Sequence, residues 1–389
     1  MNNKTQLAVG ILFALAPVMA TASNNMIEAR GAAMGNTGVA SADYLTAGLY
    51  NPALTASFKD NDDVGLLLPA FGMEYRDSDD TVSTLDDLQK AIDDYESAFS
   101  DPLGKLDDIN RLLDDLEGNK PTTVSASLGF AVALPSELVS SNLYSRGYAE
   151  AIAAPIIAPY NATDNPINDI ENRYQNSSVA LQAFAYAEFG LALGKSFNIA
   201  KQDIAFGITP KFQQLRTYYL NASVADFDVE NVDDSLTEKN AFNFDLGASW
   251  SLDAWRVGLT LRDLIAQEVD VNDHNGVKKD TYKLNPMVTV GAAYNGSLIS
   301  AAVDLELTKN ERFASIADET QFLRFGVEGN AWGWAQLRAG YEIDLQETAD
   351  SAITAGIGIS PFDVVSFDIA ANYAGSNQVG AAANLAFTF

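Results

Sequence analysis

Residues Ala241–Asp263, AFNFDLGASW-SLDA-WRVGLTLRD, decide the fold. In the first arm Phe242, Phe244, Leu246, Ala248 and Trp250 share one face, while Asn243, Asp245, Gly247 and Ser249 share the other. In the second arm Trp255, Val257, Leu259 and Leu261 oppose Arg256, Gly258, Thr260 and Arg262. Strand side chains alternate faces, so each arm has one apolar and one polar face. A soluble hairpin lying on a core has the same pattern. A tryptophan closing the apolar face on both sides of the turn points instead to a membrane, where aromatic girdles mark the interface. The alternation also recurs down the chain to its last residue. The hairpin therefore reads as one unit of an outer-membrane β-barrel.

Extending the pattern outward predicts fourteen strands, at 64–76, 122–134, 138–150, 178–197, 203–219, 241–250, 254–264, 286–295, 298–308, 320–329, 335–345, 351–360, 363–373 and 378–389. An even count follows if both ends of the mature chain lie on the periplasmic side. Turns such as Pro135–Glu137, Ser251–Asp253 and Gly296-Ser297 are short and fall at one end. The connections 77–121, 151–177, 220–240, 265–285 and 309–319 are long, fall at the other end, and are read as extracellular. In the last strand Val379, Ala381, Ala383, Leu385, Phe387 and Phe389 share a face, and the chain stops on Phe389. That ending resembles the signal outer-membrane proteins present to the barrel-assembly machinery, so Leu385, Phe387 and Phe389 are assigned to assembly.

The first residues read as a secretory signal. Lys4 supplies the positive end, Leu7–Val18 the apolar core, and Ala20-Thr-Ala22 the small-residue cleavage site. That run is too short to span a bilayer as a helix, and no later segment offers about 18 apolar residues in a row. The 389-residue chain has 24 Lys and Arg against 52 Asp and Glu, a formal charge of −28, which argues against nucleic acid as a partner. It has no cysteine, which excludes a thiol redox site and a Cys-ligated zinc. Aromatics are common while mean hydropathy is close to zero, as a lipid-facing alternate pattern requires.

Residues 23–60 are rich in small side chains, among them Gly31 and Gly35, which suit close packing inside another structure. The run Gly31-Ala-Ala-Met-Gly35-Asn-Thr-Gly38 lacks G-x-G-x-x-G spacing and a following basic residue, so it is no phosphate loop. Together, Ala29-Arg-Gly-Ala-Ala-Met-Gly35-Asn-Thr-Gly-Val-Ala40 and Tyr50-Asn51-Pro52-Ala53 resemble the N-terminal hatch signature of the FadL-type outer-membrane transporter superfamily. Within it the chain is most similar to the branch of TraF-type conjugal-transfer barrels, not to the thioredoxin-like protein that shares that name. Val257–Asp263, Leu337–Tyr341 and the C-terminus continue the likeness. It implies a lumenal plug at 23–60, with Asn51, Pro52, Ala53, Gly31 and Gly35 in it, and passive uptake of a hydrophobic small molecule. The TraF-type branch implies the alternative of a non-transporting envelope protein associated with conjugation.

Residues 77–118 break the β pattern. Leu85, Leu88, Ile92, Tyr95 and Phe99 recur at helical spacing, as do Leu106, Ile109, Leu113 and Leu116 after Asp101-Pro102. This helical hairpin carries 14 acidic and 3 basic residues. Its apolar stripe is expected to pack over the barrel mouth, and docking a partner or gating a ligand is the sharper reading. An anionic cap there disfavours fatty-acid carboxylates.

The inward faces carry Asp245, Arg256, Arg262, Asp304, Glu306, Arg324, Glu328, Arg338, Glu342 and Asp344, expected to pair and fill the interior or to line a hydrophilic path. Towards the N-terminus, Phe184 and Tyr186 lie beside Gln182 and Glu188, and Leu66 and Leu68 fall opposite Leu67, Phe71, Met73 and Tyr75. Strands apolar on both faces suggest an apolar pocket or plug packing on that side. Enzymatic readings fail: the sole histidine, His274, sits in the turn composition Asn272-Asp-His-Asn-Gly276, not on a rigid strand beside a nucleophile. No metal site or cofactor is assigned. Asp77-Ser-Asp79-Asp80 and Asp226-Phe-Asp228-Val-Glu230 alternate oxygen ligands, but an EF-hand count places Val82 or Asn231 where Gly belongs and Leu88 or Thr237 where Glu belongs.

The expectation is thus an all-β protein of the Gram-negative outer membrane. It is a 14-stranded antiparallel transmembrane barrel (61–389) with an N-terminal lumenal plug (23–60) and a helical-hairpin insertion (77–118) in its first extracellular loop. The partners foreseen are outer-membrane lipid, lipopolysaccharide, the assembly machinery and a hydrophobic ligand.

Overall fold

The computed structural model describes residues 26–389 apart from 61, 98–101, 226–231, 317–318, 332, 362–363 and 376. The signal segment, the acidic run Asp226–Glu230 and Asp101 lie outside the described residues. Fourteen strands close into an antiparallel barrel: β1 (Gly65–Arg76), β2 (Thr122–Leu134), β3 (Ser140–Ile156), β4 (Ser178–Ile199), β5 (Gln202–Ser223), β6 (Thr237–Leu252), β7 (Trp255–Arg262), β10 (Met287–Asn295), β11 (Ile299–Glu306), β12 (Phe322–Ala331), β13 (Ala335–Asp344), β14 (Ala352–Ile359), β15 (Val365–Tyr373) and β16 (Gln378–Thr388). Each pairs with its chain neighbours, and β1 closes on β16. Closure matters because a bilayer leaves no water to satisfy an open edge.

The outer surface shows why the period-two pattern needs lipid. Phe189, Phe212 and Phe242 face one another across β4, β5 and β6 and are all exposed. Phe197 and Trp250, with Trp255 on β7, mark the opposite rim. Phe189 and Phe197 are eight residues apart, about 26 Å along the strand, the height of an apolar belt.

Above that belt the wall is uneven. β4 and β5 run 22 residues each, whereas β7 and β14 run 8, a difference of about 45 Å along the strand. Two helices, α3 (Thr81–Glu96) and α4 (Pro102–Leu116), and α5 (Pro166–Gln175) accompany the tall side. Odd-numbered residues of β3 and β4 face outward, as the exposed Leu143, Phe189 and Leu191 show. Higher up, the outward Ala149, Ala151, Ala153, Leu181, Ala183 and Ala185 are buried, in one apolar cluster with Leu85, Leu88, Ile92, Leu106, Ile109, Leu113 and Ile170 of the helices. The helical hairpin therefore packs on the outside of the raised wall. The expectation that it covers the mouth is corrected: the small alanine surface it needs lies on the outer face.

Three further readings are revised. The 138–150 strand begins at Ser140 and runs on to Ile156. The connection 265–285 contains a hairpin, β8 (Gln267–Asn272) and β9 (Lys278–Leu284), that forms a sheet of its own inside the mouth. Finally, the pairing of β1 shifts between Leu68 and Ala70, at Pro69, so buried Leu67 points inward while Phe71, Met73 and Tyr75 point outward. A proline cannot donate to the ladder, and the resulting bulge flips the register.

Candidate functional site

The lower lumen is filled by the chain's own residues 26–58. Within them are two short helices, α1 (Ala29–Ala33) and α2 (Ala47–Tyr50), and a 3-10 turn, Pro52–Ala56. The segment fits because the inner wall is glycine where it passes. A Cβ on Gly247 would stand 2.0 Å from Asn51 Oδ1, one on Gly207 2.3 Å from the Pro52 carbonyl carbon, and one on Gly340 2.2 Å from Gly35 N. Gly35 itself has φ +64° and lies against the Phe325 carbonyl, two reasons for glycine. Gly31 leaves room for the Tyr50 hydroxyl.

Asn51 is fully buried. Its Nδ2 donates to Val39 O (2.8 Å) and Ala248 O (3.2 Å), and its Oδ1 accepts from Ala53 N (3.1 Å). One side chain thus caps the 3-10 turn, whose Pro52 needs no donor, and pins it to β6. Glu28 caps α1 from Gly31 N (2.6 Å) and accepts from the Tyr50 hydroxyl (3.0 Å). Burial pushes its carboxyl above the ordinary range, against the opposing pull of Arg30.

Ion pairs bind the segment to the wall. Arg30 Nε reaches Glu328 at 3.0 Å, and Glu328 also accepts from Arg338 Nε at 2.6 Å, whose Nη1 meets Asp368 at 2.5 Å. Asp304 accepts from Gly38 N (2.7 Å) and Val39 N (3.0 Å). Glu342 accepts from Asn36, and Arg324 joins Glu306 (2.7 Å) to Glu342 (3.5 Å). Arg256 donates to Ala40 O at 3.5 Å. Asp245 pairs with Lys211 at 2.8 Å; that buried ammonium also meets Asp263 (2.7 Å) and Glu188 (3.2 Å). Asp344 accepts from the backbone of Gln321, Gln346, Thr348 and Ala349, so it organises a loop instead of lining a path.

The ten charged residues read from the pattern all point inward. Arg30, Glu28, Lys211, Arg146 and Asp263 are equally central and were not among the inward charges read from the pattern, and Glu188, read only as a neighbour of Phe184 and Tyr186, pairs with Arg146 and Lys211. Lys211 follows Pro210 in an alternating strand, so its inward face was readable. The role of Arg30 depends on a partner 298 residues away. Leu385 and Phe387 point outward, and Phe389 joins the segment just before β1 through bonds between its N and Val64 O and between its O and Asp63 N. Asp77 is buried, capping α3 through Thr81 N and Val82 N and accepting from Thr122 Oγ1, which takes its carboxylate out of any solvent-facing ligand set.

Above this segment lies a cavity of about 340 Å³. Arg76, Lys120, Arg262, Arg312 and Arg324 share its lining with Glu74, Glu150, Asp263, Glu306 and Glu347, and Ile152, Leu284, Met287 and Phe322 supply an apolar portion. In a chain so acidic, equal numbers of cations and anions make this an internally compensated surface. The sheet β8–β9 stands over it. Tyr282 stacks on Phe184 with centroids 3.5 Å apart, Phe313 packs edge-on to Tyr282, and Arg312 reaches Glu150 of β3 at 2.6 Å.

Comparison with known proteins agrees with this architecture. A Pseudomonas aeruginosa FadL homologue superposes with TM-score 0.54 at 10% identity, covering 96% of this chain and 99% of its own. The TodX monoaromatic hydrocarbon channel deltaS2 mutant gives 0.53 at 10% identity, covering 93% and 98%, and the CymD monoaromatic hydrocarbon channel 0.51 at 10%, covering 94% and 98%. The fold is thus that of FadL-type outer-membrane channels. A search of curated proteins finds no match. The family profile described as "F plasmid transfer operon, TraF, protein" matches residues 48–306, from the start of α2 through β11. The chain belongs to that TraF family, built on a FadL-type barrel.

Proposed function

We propose that the protein is an outer-membrane channel of the Gram-negative envelope that passively takes up a small hydrophobic molecule bearing a polar group. The 340 Å³ cavity carries this reading, because it sets Ile152, Leu284, Met287 and Phe322 beside fixed guanidinium groups at the end with the long loops. Apolar walls with a few convergent polar groups are what such a ligand needs. The acidic helices stand outside the mouth, so they do not screen the entrance as an anionic lid would. Inward passage requires residues 26–58 to shift. Native mass spectrometry of detergent-purified protein should show a bound small molecule that Phe322→Asp and Met287→Asp remove. Retention of the same ligand by both variants, or none in any preparation together with no uptake by proteoliposomes, would sink the reading.

The family description favours a second reading, an envelope interaction protein of conjugation, and the ion-paired filling of the lumen suits it. Its surface would be the solvent face of α3 and α4. Changing the exposed Asp87, Asp93, Asp94, Asp107, Asp108 and Asp115 to Asn keeps the apolar stripe buried. Loss of a partner complex with unchanged uptake would support this reading over the first.

A further inference from the structure

We infer that the inner sheet is a gate over the mouth cavity, latched to the barrel wall by Arg312 and Glu150. The chain leaves the wall at Asp263, which takes a left-handed φ of +52° next to the last residue of β7. One backbone bond further on, from Leu264 N to Phe244 O (3.0 Å), the pairing with β6 gives way to a side chain. Asn243 accepts from Ile265 N (2.9 Å) and donates to Ile265 O (3.0 Å). β8 and β9 then stand inside the lumen as a separate sheet. Residues 312–314 extend it through bonds from Lys283 N to Arg312 O (2.8 Å) and from Ala314 N to Thr281 O (3.0 Å).

What holds this sheet to the wall is of a different kind from what holds the wall together. Barrel strands are joined by continuous ladders. The inner sheet instead uses single bonds, from Thr217 Oγ1 to Asp270 O (2.7 Å), Lys239 Nζ to Glu268 O (3.0 Å) and Asn272 Nδ2 to Thr237 Oγ1 (3.0 Å). To these are added the Phe184–Tyr282 stack and the Arg312–Glu150 pair, which joins the β11–β12 loop to β3. A sheet of two or three short strands is marginal without such anchors. Leu284 and Asn285 at the end of β9 line the cavity together with the anchoring Arg312, so the sheet and its latch close the space below. Swinging the sheet together with residues 312–314 from its roots at Asp263 and Asn285 parts these side-chain bonds and the apolar packing of Val269, Val271, Tyr282, Leu284 and Phe313 in the cluster shared with Leu215, Tyr218 and Phe184, and leaves the fourteen-strand ladder closed.

The chain has no cysteine, so one introduced thiol reports opening directly. Ser125→Cys places it on the β2 wall of the cavity. Its rate of modification by a bulky, membrane-impermeant maleimide, in the full-length protein in outer-membrane vesicles, should rise about tenfold with Arg312→Ala, against the direction in which loss of a nearby cation moves thiolate formation, whereas Glu150→Gln, opposite Ser125 on β3, is compared only after its rate is corrected for the thiol's own pKa. The exchanged pair E150R/R312E should return it towards the parent rate. A reversible lock, Thr237→Cys with Asn272→Cys at the 3.0 Å contact, should abolish labelling of Ser125→Cys when oxidised, once the lock has formed, and release it on mild reduction. Equal rates in parent, latch variants and lock, all with native heat-modifiable mobility, would overturn the gate. The measurement involves no transported molecule. Although the gate's use rests on the uptake reading, a failed uptake experiment would leave this result standing.

Discussion

At the scale of single residues, Glu328 is where the lumenal segment meets the barrel. Glu328→Gln leaves the Arg30 and Arg338 guanidiniums facing one carboxylate fewer in a mostly buried place. Breaking such a pair from one side costs about 3 kcal/mol. The expected result is a lower urea midpoint for detergent-solubilised protein, with Arg30→Met in the same chain recovering part of the loss. Gly247 tests fit rather than charge. Gly247→Val drives a side chain into Asn51 and the 3-10 turn, so protease should cut within residues 26–58 while the barrel stays intact. The inward identity of Asp245 or Arg338 was legible because a two-residue period fixes it. Arg338 faces Glu328 across the β12–β13 hairpin, so that partner follows from the register, whereas Arg30 meets Glu328 only because residues 26–58 lie inside the closed ring. Leu67 was misplaced relative to Phe71 for a local reason, the bulge at Pro69.

At the scale of elements, the helices show what periodicity conveys and what it omits. Leu85, Leu88 and Ile92 announce a buried stripe at the right spacing, but the stripe does not say which side of the wall it meets. The alanines of β3 and β4 settle that, through burial of side chains whose parity points them outwards. The β8–β9 hairpin was missed because its Asn-Asp-His-Asn-Gly turn reads as loop and its strands, 6 and 7 residues long, alternate only briefly. α5 was missed as well, although Asn165-Pro166 is a cap followed by a first-turn proline. One contact ties this outer layer together. Tyr95 on α3 donates to Glu171 on α5 at 2.6 Å, and that bond to a carboxylate pushes its phenol up to about 12. A phenol with a raised value in the folded state stabilises below its ordinary value near 10, and that contribution is lost as pH climbs through about 12. The protection of amides in α3 and α5, relative to the intrinsic hydroxide-catalysed rate at each pH, should therefore fall between those values in the parent. Tyr95→Phe should show the lower protection already at pH 8 and no further fall in protection across the window.

At the scale of the molecule, the wall is tall on one side and short on the other. β3 to β6 carry helices outside and the small sheet inside, whereas β12 to β15 stop near the belt. The seam where the two ends of the chain meet, β1 with β16, is held at its base by Phe389 against Val64 and Asp63. Removing Phe389 should lower the amount of folded barrel in outer-membrane fractions several-fold. The same variant refolded in detergent should reach near-parent yield, because the loss falls on delivery and not on stability. Equal yields in the membrane fraction would assign the last residue to packing alone.

The fit of residues 26–58 against bare backbone constrains how the molecule can come into being. A guest seated so closely that a single methyl group is excluded cannot be threaded through a finished ring. It must already be lying on the nascent sheet when the first and last strands zip together. Insertion intermediates trapped before that seam forms should therefore shield this segment from protease.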